Sequence, residues 1–290
     1  MSDHRSVWHI GLMCRVLMVS RSGYYVWRRR PSSVRSDENE RLKEKIRSEY
    51  ARGRAEYGSP TITSALRQNG LLVNHKRIAR LMRQMGLRSK VARRFKRTAK
   101  VCRDREAAPN LVKQQFRTDG PNRVWVSDIT YIWTREGWLY LTVIEDVWSR
   151  MVVGYAMTVH LKAEGVVEAL TKAVSRRTVK PGLIFHSDRG KQYIDGDVRS
   201  ILTDHQIEQS MSSTGNCYDN AMAEAFFATL KKAHVFWHTY RTREEARRSI
   251  FEYLEVFYNR VRRHSALGYK SPVAFEQQHQ LALLTVHETG

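Results

Sequence analysis

The sequence predicts an α/β protein in which a mixed β-sheet flanked by helices follows small, basic, all-α segments. Three observations carry that prediction. Between residues 119 and 235, apolar runs switch between the two-residue period of strands and the 3.6-residue period of helices, in the order βββαβαβα. Ahead of them, residues 36–90 hold three short helical patterns punctuated by Pro, Asn and Gly. Finally, 42% of the 290 residues are hydrophobic, which suffices for about two domains with real cores.

Residues 10–30 read as a helical pair. Met13, Val16 and Leu17 form one apolar face, and Ser20 or Ser22 caps a second helix holding Tyr24, Tyr25 and Trp27. Arg28-Arg29-Arg30-Pro31 ends it, because the residue before a proline is pushed out of the helical region. Residues 37–50 give a helix with Leu42, Ile46 and Tyr50 on one stripe. Ser59-Pro60 caps and starts the next, which stops at Asn69-Gly70. Asn74 caps a third, with Ile78, Leu81, Met82 and Met85 inward and Gly86 at its end. The other face of this third helix carries Lys76, Arg77, Arg80 and Arg83. A helix-turn-helix presents such a final helix to the major groove of DNA; a merely solvated basic face is the plainer reading. The charge run 90–100 includes Arg93 and Arg94 and reads as a linker that neutralises phosphates without reading sequence.

Strand-like runs at 124–132, 139–144 and 151–157 are joined by Arg135-Glu136-Gly137 and Trp148-Ser149-Arg150, which makes an antiparallel meander. A helix over 163–176 follows, with Val166, Val167, Leu170 and Val174 inward. Then come a strand at 183–186, a helix at 197–205, a short strand at 207–211 and a helix from Asn220. This order is that of the ribonuclease-H-like fold. A long helix over 243–262 and a turn-rich tail end the chain. The expected divisions are a helix-turn-helix-like segment (1–35), a helical DNA-binding domain (36–90), a basic linker (91–118), the ribonuclease-H-like core (119–235) and a C-terminal helix and tail (236–290).

The formal net charge is +21, from 50 Lys+Arg against 29 Asp+Glu. Such an excess repels itself unless a polyanion is near, so nucleic acid is the expected partner and an anionic membrane the second choice. No apolar run approaches the ~20 residues of a membrane span, and no basic-then-apolar signal segment points to export. Cys14, Cys102 and Cys217 form no C-x-x-C pair, which fits reduced thiols in a cytoplasm and argues against a disulfide framework or zinc knuckle.

Three carboxylates carry the chemistry. Asp128 lies in the first strand. Asp188 sits just past the fourth, where an α/β sheet offers its crevice. Glu224 lies in the first turns of a helix, with 35 residues between it and Asp188. Singly, Asp188 could cap a turn and Glu224 could be a surface acid. Together they point to hard divalent cations, which prefer carboxylate oxygens. Two such ions about 4 Å apart stabilise both the attacking and the leaving oxygen of an in-line phosphoryl displacement. Asn220, Glu224 and Lys231 share one helix face. Lys231 is therefore placed to hold a DNA phosphate as a point charge, against the plain reading of a solvated lysine. His186 is open between a group orienting DNA or water and a packed strand histidine, and Asn220 is grouped with it as a support of the carboxylates. Asp146 reads as a turn residue paired with Arg150, and Asp219 as a helix cap. No G-x-S-x-G elbow supports a Ser/His/Asp triad.

These residues resemble a known family. Tyr57-Gly58-Ser59-Pro60, Val73-Asn74-His75-Lys76-Arg77-Ile78, Trp125-Val126-Ser127-Asp128-Ile129-Thr130-Tyr131, Glu136-Gly137-Trp138-Leu139-Tyr140-Leu141, His186-Ser187-Asp188-Arg189-Gly190, Asn220-Ala221-Met222-Ala223-Glu224 and Tyr258-Asn259-Arg260 through Tyr269-Lys270-Ser271-Pro272 look like the second-frame (OrfB) transposase of the insertion-sequence-three family. The likeness runs from about residue 14 to 275, and the catalytic part is similar to retroviral integrase cores. The resemblance implies that Asp128, Asp188 and Glu224 are the acidic triad of a DDE transposase and Lys231 the basic residue that follows its Glu. It implies magnesium or manganese, two ions in the active complex, and strand cleavage and transfer on double-stranded DNA at terminal inverted repeats. It also implies a homo-oligomer on DNA, a first-frame (OrfA) partner or frameshift fusion, and a place in the bacterial cytoplasm at the nucleoid. No heptad run long enough for a zipper is present. His4, His9 and Cys14 do not complete the His/His/Cys/Cys zinc site of retroviral integrases. Two other classes stand beside this one: a non-catalytic DNA-binding regulator, and a ribonuclease or junction nuclease on the same fold.

Overall fold

The computed structural model describes residues 1–29, 31, 33–92, 108–112, 118–212 and 220–288. The chain forms two units, Met1–Arg47 and Ser48–Gly290. In the first, helices α1 (Ile10–Val16) and α2 (Arg21–Arg29) precede α3 (Val34–Arg52), within which the boundary falls. Ser20 caps α2, its hydroxyl accepting from Gly23 N at 2.9 Å. Cys14 and Tyr24 are the buried positions of α1 and α2. Val16 and Leu17, expected to face inward, are 72% and 58% exposed. The short α1 has one buried side, and Cys14 takes it.

The second unit begins with the end of α3 and two packed helices, α4 (Ser59–Gln68) and α5 (His75–Gln84), which bury Ile62, Ala65, Leu66, Ile78, Leu81 and Met82. Pro60 sits in the first turn of α4, where its missing N–H leaves nothing unpaired. Ser59 is not the cap. Gly58 holds that position, and the Ser59 hydroxyl meets His75 Nε2 at 3.0 Å. Asn74 does cap α5, its Oδ1 accepting from Lys76 N at 2.8 Å. Gly86, at φ +69°, turns the chain out of the helix in the left-handed conformation glycine adopts freely.

The core is a five-stranded sheet in the order β3-β2-β1-β4-β5. Strands β1 (Val124–Thr134), β2 (Gly137–Asp146) and β3 (Val152–Thr158) form the expected antiparallel meander. Strand β4 (Ile184–Ser187) lies parallel to β1, and β5 (Glu208–Met211) parallel to β4. Side chains alternate faces along β1. Trp125 joins the core under α6 (Glu164–Arg176) and α7 (Gly196–Asp204), with Phe185, Leu170 and Val198. Val124 and Val126 join the opposite core, under α8 (Ala221–Ala233). Gly154 allows α6 to sit against β3, since a Cβ there would lie 2.2 Å from Ala169 O.

The C-terminal part departs from expectation in two ways. The long helix is interrupted: α9 (Arg243–Phe251) passes into a π-helical stretch, Glu252–Tyr258, which buries Tyr253, Leu254, Phe257 and Tyr258. The expected tail contains a helix, α10 (Pro272–Glu288). Its start repeats the Ser-Pro signature read at Ser59-Pro60, and here the serine does cap, its hydroxyl accepting from Ala274 N at 3.3 Å.

Candidate active site

The pairing of β1 with β4 sets the site. Val124 lies opposite Ile184, Trp125 opposite Phe185 and Val126 opposite His186. The pairing ends there and β4 stops at Ser187; carried on two residues, the same course leads Asp128 toward Asp188, whose charge it feels. By alternation Asp128 shares the face of Val126, and Asp188 that of His186. This is the face α8 covers: Met222 and Ala223 pack with Val124 and Val126, and Phe226, Phe227 and Leu230 with Ile132 and Leu139. The inward stripe of α8 leaves Glu224 exposed, and Lys231 lies two turns further on.

Both aspartates are half-buried. Asp128 Oδ1 accepts from Ile129 N at 2.7 Å and Asp188 Oδ1 from Gly190 N at 2.9 Å. Burial, reinforced by the charge of Asp188, pushes the Asp128 carboxyl up to about 7; Glu224 adds to the rise and Lys231 opposes it. Burial also raises Asp188. The Lys231 ammonium is lowered by burial, with Asp128 acting the other way, and it stands 4.9 Å from the centre of the Tyr131 ring. Beneath the pair lies Tyr193, fully buried, its hydroxyl 3.0 Å from Ser127 Oγ. Burial and the charges of Asp128 and Asp188 hold that phenol well above its ordinary value. Nothing local in the sequence ties Tyr193 to Ser127; the short turn after Gly190 brings them together.

Adjacent, half-buried, mutually repelling carboxylates are the donor set a hard divalent cation takes, because the ion relieves both the repulsion and the desolvation. The chemistry of Asp128 and Asp188 therefore fits magnesium or manganese. Among the described residues, no three His, Cys, Asp or Glu side chains stand close enough to hold one ion in common. The structure brings the two aspartates together and leaves Glu224 on the exposed flank of α8.

An integrase core domain model matches residues 118–217, a further integrase core model 205–272, and an HTH-like domain model 37–95. The transposase InsF for insertion sequence IS3A of Escherichia coli (strain K12) is 40% identical over 277 residues, 95% of this chain and 96% of the relative. The chain belongs to the IS3 family of insertion-sequence transposases. The insertion element IS600 uncharacterized 31 kDa protein of Shigella sonnei is 45% identical, over 93% of this chain and all of that one (100%). Among solved structures, the HTLV-2 integrase catalytic core domain in complex with magnesium (trimeric form) is similar over 55% of this chain and 99% of that chain, at 15% identity and a TM-score of 0.43.

Elsewhere in this IS3-family transposase, Lys76, Arg80 and Arg83 are exposed on α5 and Arg77 is half-buried. Arg93, Arg94 and Asp219 lie outside the described residues. His186 is fully buried, with Nδ1 2.8 Å from Ser210 Oγ and Nε2 3.3 Å from Ser212 Oγ, so both ring nitrogens are engaged within the sheet. Asn220 is buried just before α8, and among the described residues its Oδ1 has no hydrogen-bond partner. Asp146 is the expected turn residue, but Arg150 is not its partner. Its carboxylate accepts from Asn122 N (2.7 Å), Trp148 N (2.9 Å) and Ser149 N (3.1 Å), and the favourable charge near it is Arg177. Backbone N–H groups of its own turn reach that carboxylate first. Among the described residues no helix is long and apolar enough to cross a membrane.

Proposed function

We propose that Asp128, Asp188 and Glu224 hold the divalent ions with which this transposase cleaves and rejoins DNA strands at the ends of its element. In cleavage, a water oxygen bonds to phosphorus and the bond to the 3′ oxygen breaks, leaving a 3′-hydroxyl. In joining, that hydroxyl attacks a second phosphodiester and displaces its 3′ oxygen. Bound magnesium or manganese supplies Lewis-acid stabilisation of the attacking and leaving oxygens. Asp128, within β1, and Asp188, just past the end of β4, fix the position of the reacting phosphate from two neighbouring strands, and Glu224 closes the site from α8. Lys231 holds a phosphate oxygen as a point charge, its ammonium set beside Tyr131. Lys76, Arg77, Arg80 and Arg83 on α5 bind the duplex away from the chemistry, as Arg93 and Arg94 do from the linker. Double-stranded DNA is thus the partner, bound by more than one copy of the chain, with a first-frame protein or fusion completing end recognition.

The observation that supports this reading is the parallel pairing of β1 with β4, which leads Asp128 toward Asp188, together with the charge that Asp188 exerts on the Asp128 carboxyl. The test is Asp188→Asn in the full chain, on a duplex bearing the element's terminal repeat with Mg2+. Strand nicking and joining should vanish while the gel-shift affinity stays. Undiminished cleavage by the variant overturns the assignment; a wild type that binds but never turns over in a magnesium titration favours the regulator.

A further inference from the structure

The chemistry above leaves the motif from Tyr258 to Pro272 without a role. The structure shows where it is pinned. The Asn259 amide brackets one residue of β3, accepting from Val152 N and donating to Val152 O, both at 3.0 Å. On its other side the Tyr57 hydroxyl donates to Val261 O (2.9 Å) and accepts from Arg263 N (3.1 Å), and Arg262 Nε donates to Glu56 Oε2 (2.8 Å). Held this way, the motif encloses a cavity of about 350 Å³ with the β2–β3 turn and α8, lined by Glu145, Arg150, Thr229, Arg262, Arg263 and His264.

Two of the three arginines are committed. Arg262 pairs with Glu56, and Arg263 donates to Tyr269 O at 2.9 Å and to Gln68. Arg150 is half-buried, yet among the described residues nothing takes a hydrogen bond or close ion pair from its guanidinium. Its favourable charge is the buried Glu145 carboxyl, which makes no hydrogen bond or close ion pair with it, so a ligand anion would relieve its desolvation further. Its backbone sits at φ +60°, uncommon for a residue other than glycine, and is held there as Arg150 N donates to Asp146 O at 2.8 Å. Facing it, buried Glu145 accepts from the Tyr258 hydroxyl at 3.4 Å through Oε1, and among the described residues its Oε2 has no hydrogen-bond partner. Burial pushes the Glu145 carboxyl up to about 8, against the opposing charge of Arg150 and the hydrogen bond from Tyr258, so at neutral pH it is mostly protonated and can donate. His264 is held down to about 2, by burial first and then by Arg262 and Arg150, and stays neutral. The cavity therefore has cationic and donor groups and little negative charge to offset them.

Its position is equally specific. Glu145 pairs with Val126 and Val143 with Asp128, so Glu145 stands one strand across and two residues back from Asp128 on the same face. That is roughly 8 Å between Cα atoms, from the strand spacing and the rise per residue. Helix α8 lies between, with Glu224 on one flank and Met222, Phe226 and Thr229 on the other. Its outer ridge is Ala221, Ala225 and Ala228, short enough for a nucleic-acid backbone to pass close over it.

We propose that this cavity seats a backbone phosphate of the DNA lying across α8, gripped by Arg150, while the carboxylates on the opposite flank take the scissile phosphate. The inference rests on the reading that those carboxylates act on DNA, and its test is run without metal so that the two fail separately. The full chain is bound to a duplex bearing the element's terminal repeat, with divalent ions chelated and single phosphates replaced in turn by methylphosphonate. Wild type is expected to lose affinity at a phosphate whose replacement no longer matters to Arg150→Gln. The slope of log affinity on log salt should be shallower by about 1 in the variant. Arg150→Lys, which keeps the charge without the fork, should retain the slope, bind the unmodified duplex several-fold more weakly, and show a reduced penalty when that one phosphate is replaced. Equal slopes and identical profiles in wild type and Arg150→Gln overturn the proposal, as does a loss in Arg150→Lys that is the same at every position of the scan, with no phosphate whose replacement removes it. Thermal protection of wild type by inorganic phosphate, absent in Arg150→Gln while DNA profiles coincide, overturns it too and makes the cavity a site for free anions. Absence of cleavage when Mg2+ is added back bears only on the catalytic reading.

Discussion

Replacing Asp128 by Asn should make the metal-free protein more stable while removing its chemistry. The Asp128 carboxyl is pushed from 3.8 to about 7, chiefly by burial and then by the charge of Asp188. At 1.36 kcal/mol per pKa unit, roughly three units correspond to about 4 kcal/mol. The folded state holds this proton more tightly than the unfolded chain does. Stability is therefore whole below about pH 4, falls as the pH rises toward 7, and above that carries the full cost of ionisation. Asparagine does not titrate, and its amide oxygen still accepts from Ile129 N. The variant should gain on wild type across that window and hold an advantage of about 2–4 kcal/mol near pH 8, the upper figure being the whole shift. Urea denaturation in chelator at acid and alkaline pH measures the gap. Magnesium should then stabilise wild type and close the gap, because only wild type keeps both aspartates to bind it. A variant equal to or weaker than wild type at pH ~8 in chelator would refute the premise that Asp128 is held in a repulsive, desolvated pair.

Three further outcomes concern how the parts are joined. Glu56→Gln leaves the Arg262 guanidinium nearly buried beside a neutral partner and should cost about 3–5 kcal/mol in urea denaturation, whereas Glu56→Leu with Arg262→Met should cost far less; a single-variant cost below ~1 kcal/mol counts against a buried pair. Gly154→Ala drives a methyl to within 2.2 Å of Ala169 O, so α6 must shift, and the thermal midpoint should fall by the equivalent of about 1–3 kcal/mol. Asn74→Ala removes the acceptor for Lys76 N and should lower protection of the α5 amides in hydrogen exchange by about 1 kcal/mol, with the sheet amides unchanged.

The acidic site is legible in the sequence because each carboxylate arrives with an element that has its own period. Asp128 interrupts a strand, Asp188 follows one, and Glu224 opens a helix, so the sheet order alone brings the first two together. What resists reading depends on partners far along the chain. His186 is two residues from Asp188, but its role is decided by Ser210 and Ser212 on the neighbouring strand. Asp146 and Arg150 are near enough in sequence to suggest a pair, yet N–H groups of the turn reach the carboxylate first and leave the guanidinium to the cavity. Helix α10 carried the same Ser-Pro start as α4 but sits among turn residues that obscure it. The helix at 243–262 shows continuous helical periodicity, which does not distinguish four-residue from five-residue hydrogen bonding.

That five-residue winding has a consequence for how the chain can change. In Glu252–Tyr258 the turns are wider, and Asn259 N donates to Leu254 O, five positions back, at 3.1 Å. Each residue removed from or added to a helix rotates everything beyond it by about 100°. Loss of one residue here would restore ordinary winding locally but swing Asn259 off Val152 and Arg262 off Glu56 in a single event. A substitution in this stretch acts on single contacts, such as the Glu252–Arg54 and Glu255–Arg176 pairs; its length answers to two docking surfaces at once. Among relatives that keep both attachments, variation here should take the form of exchanged side chains at constant count.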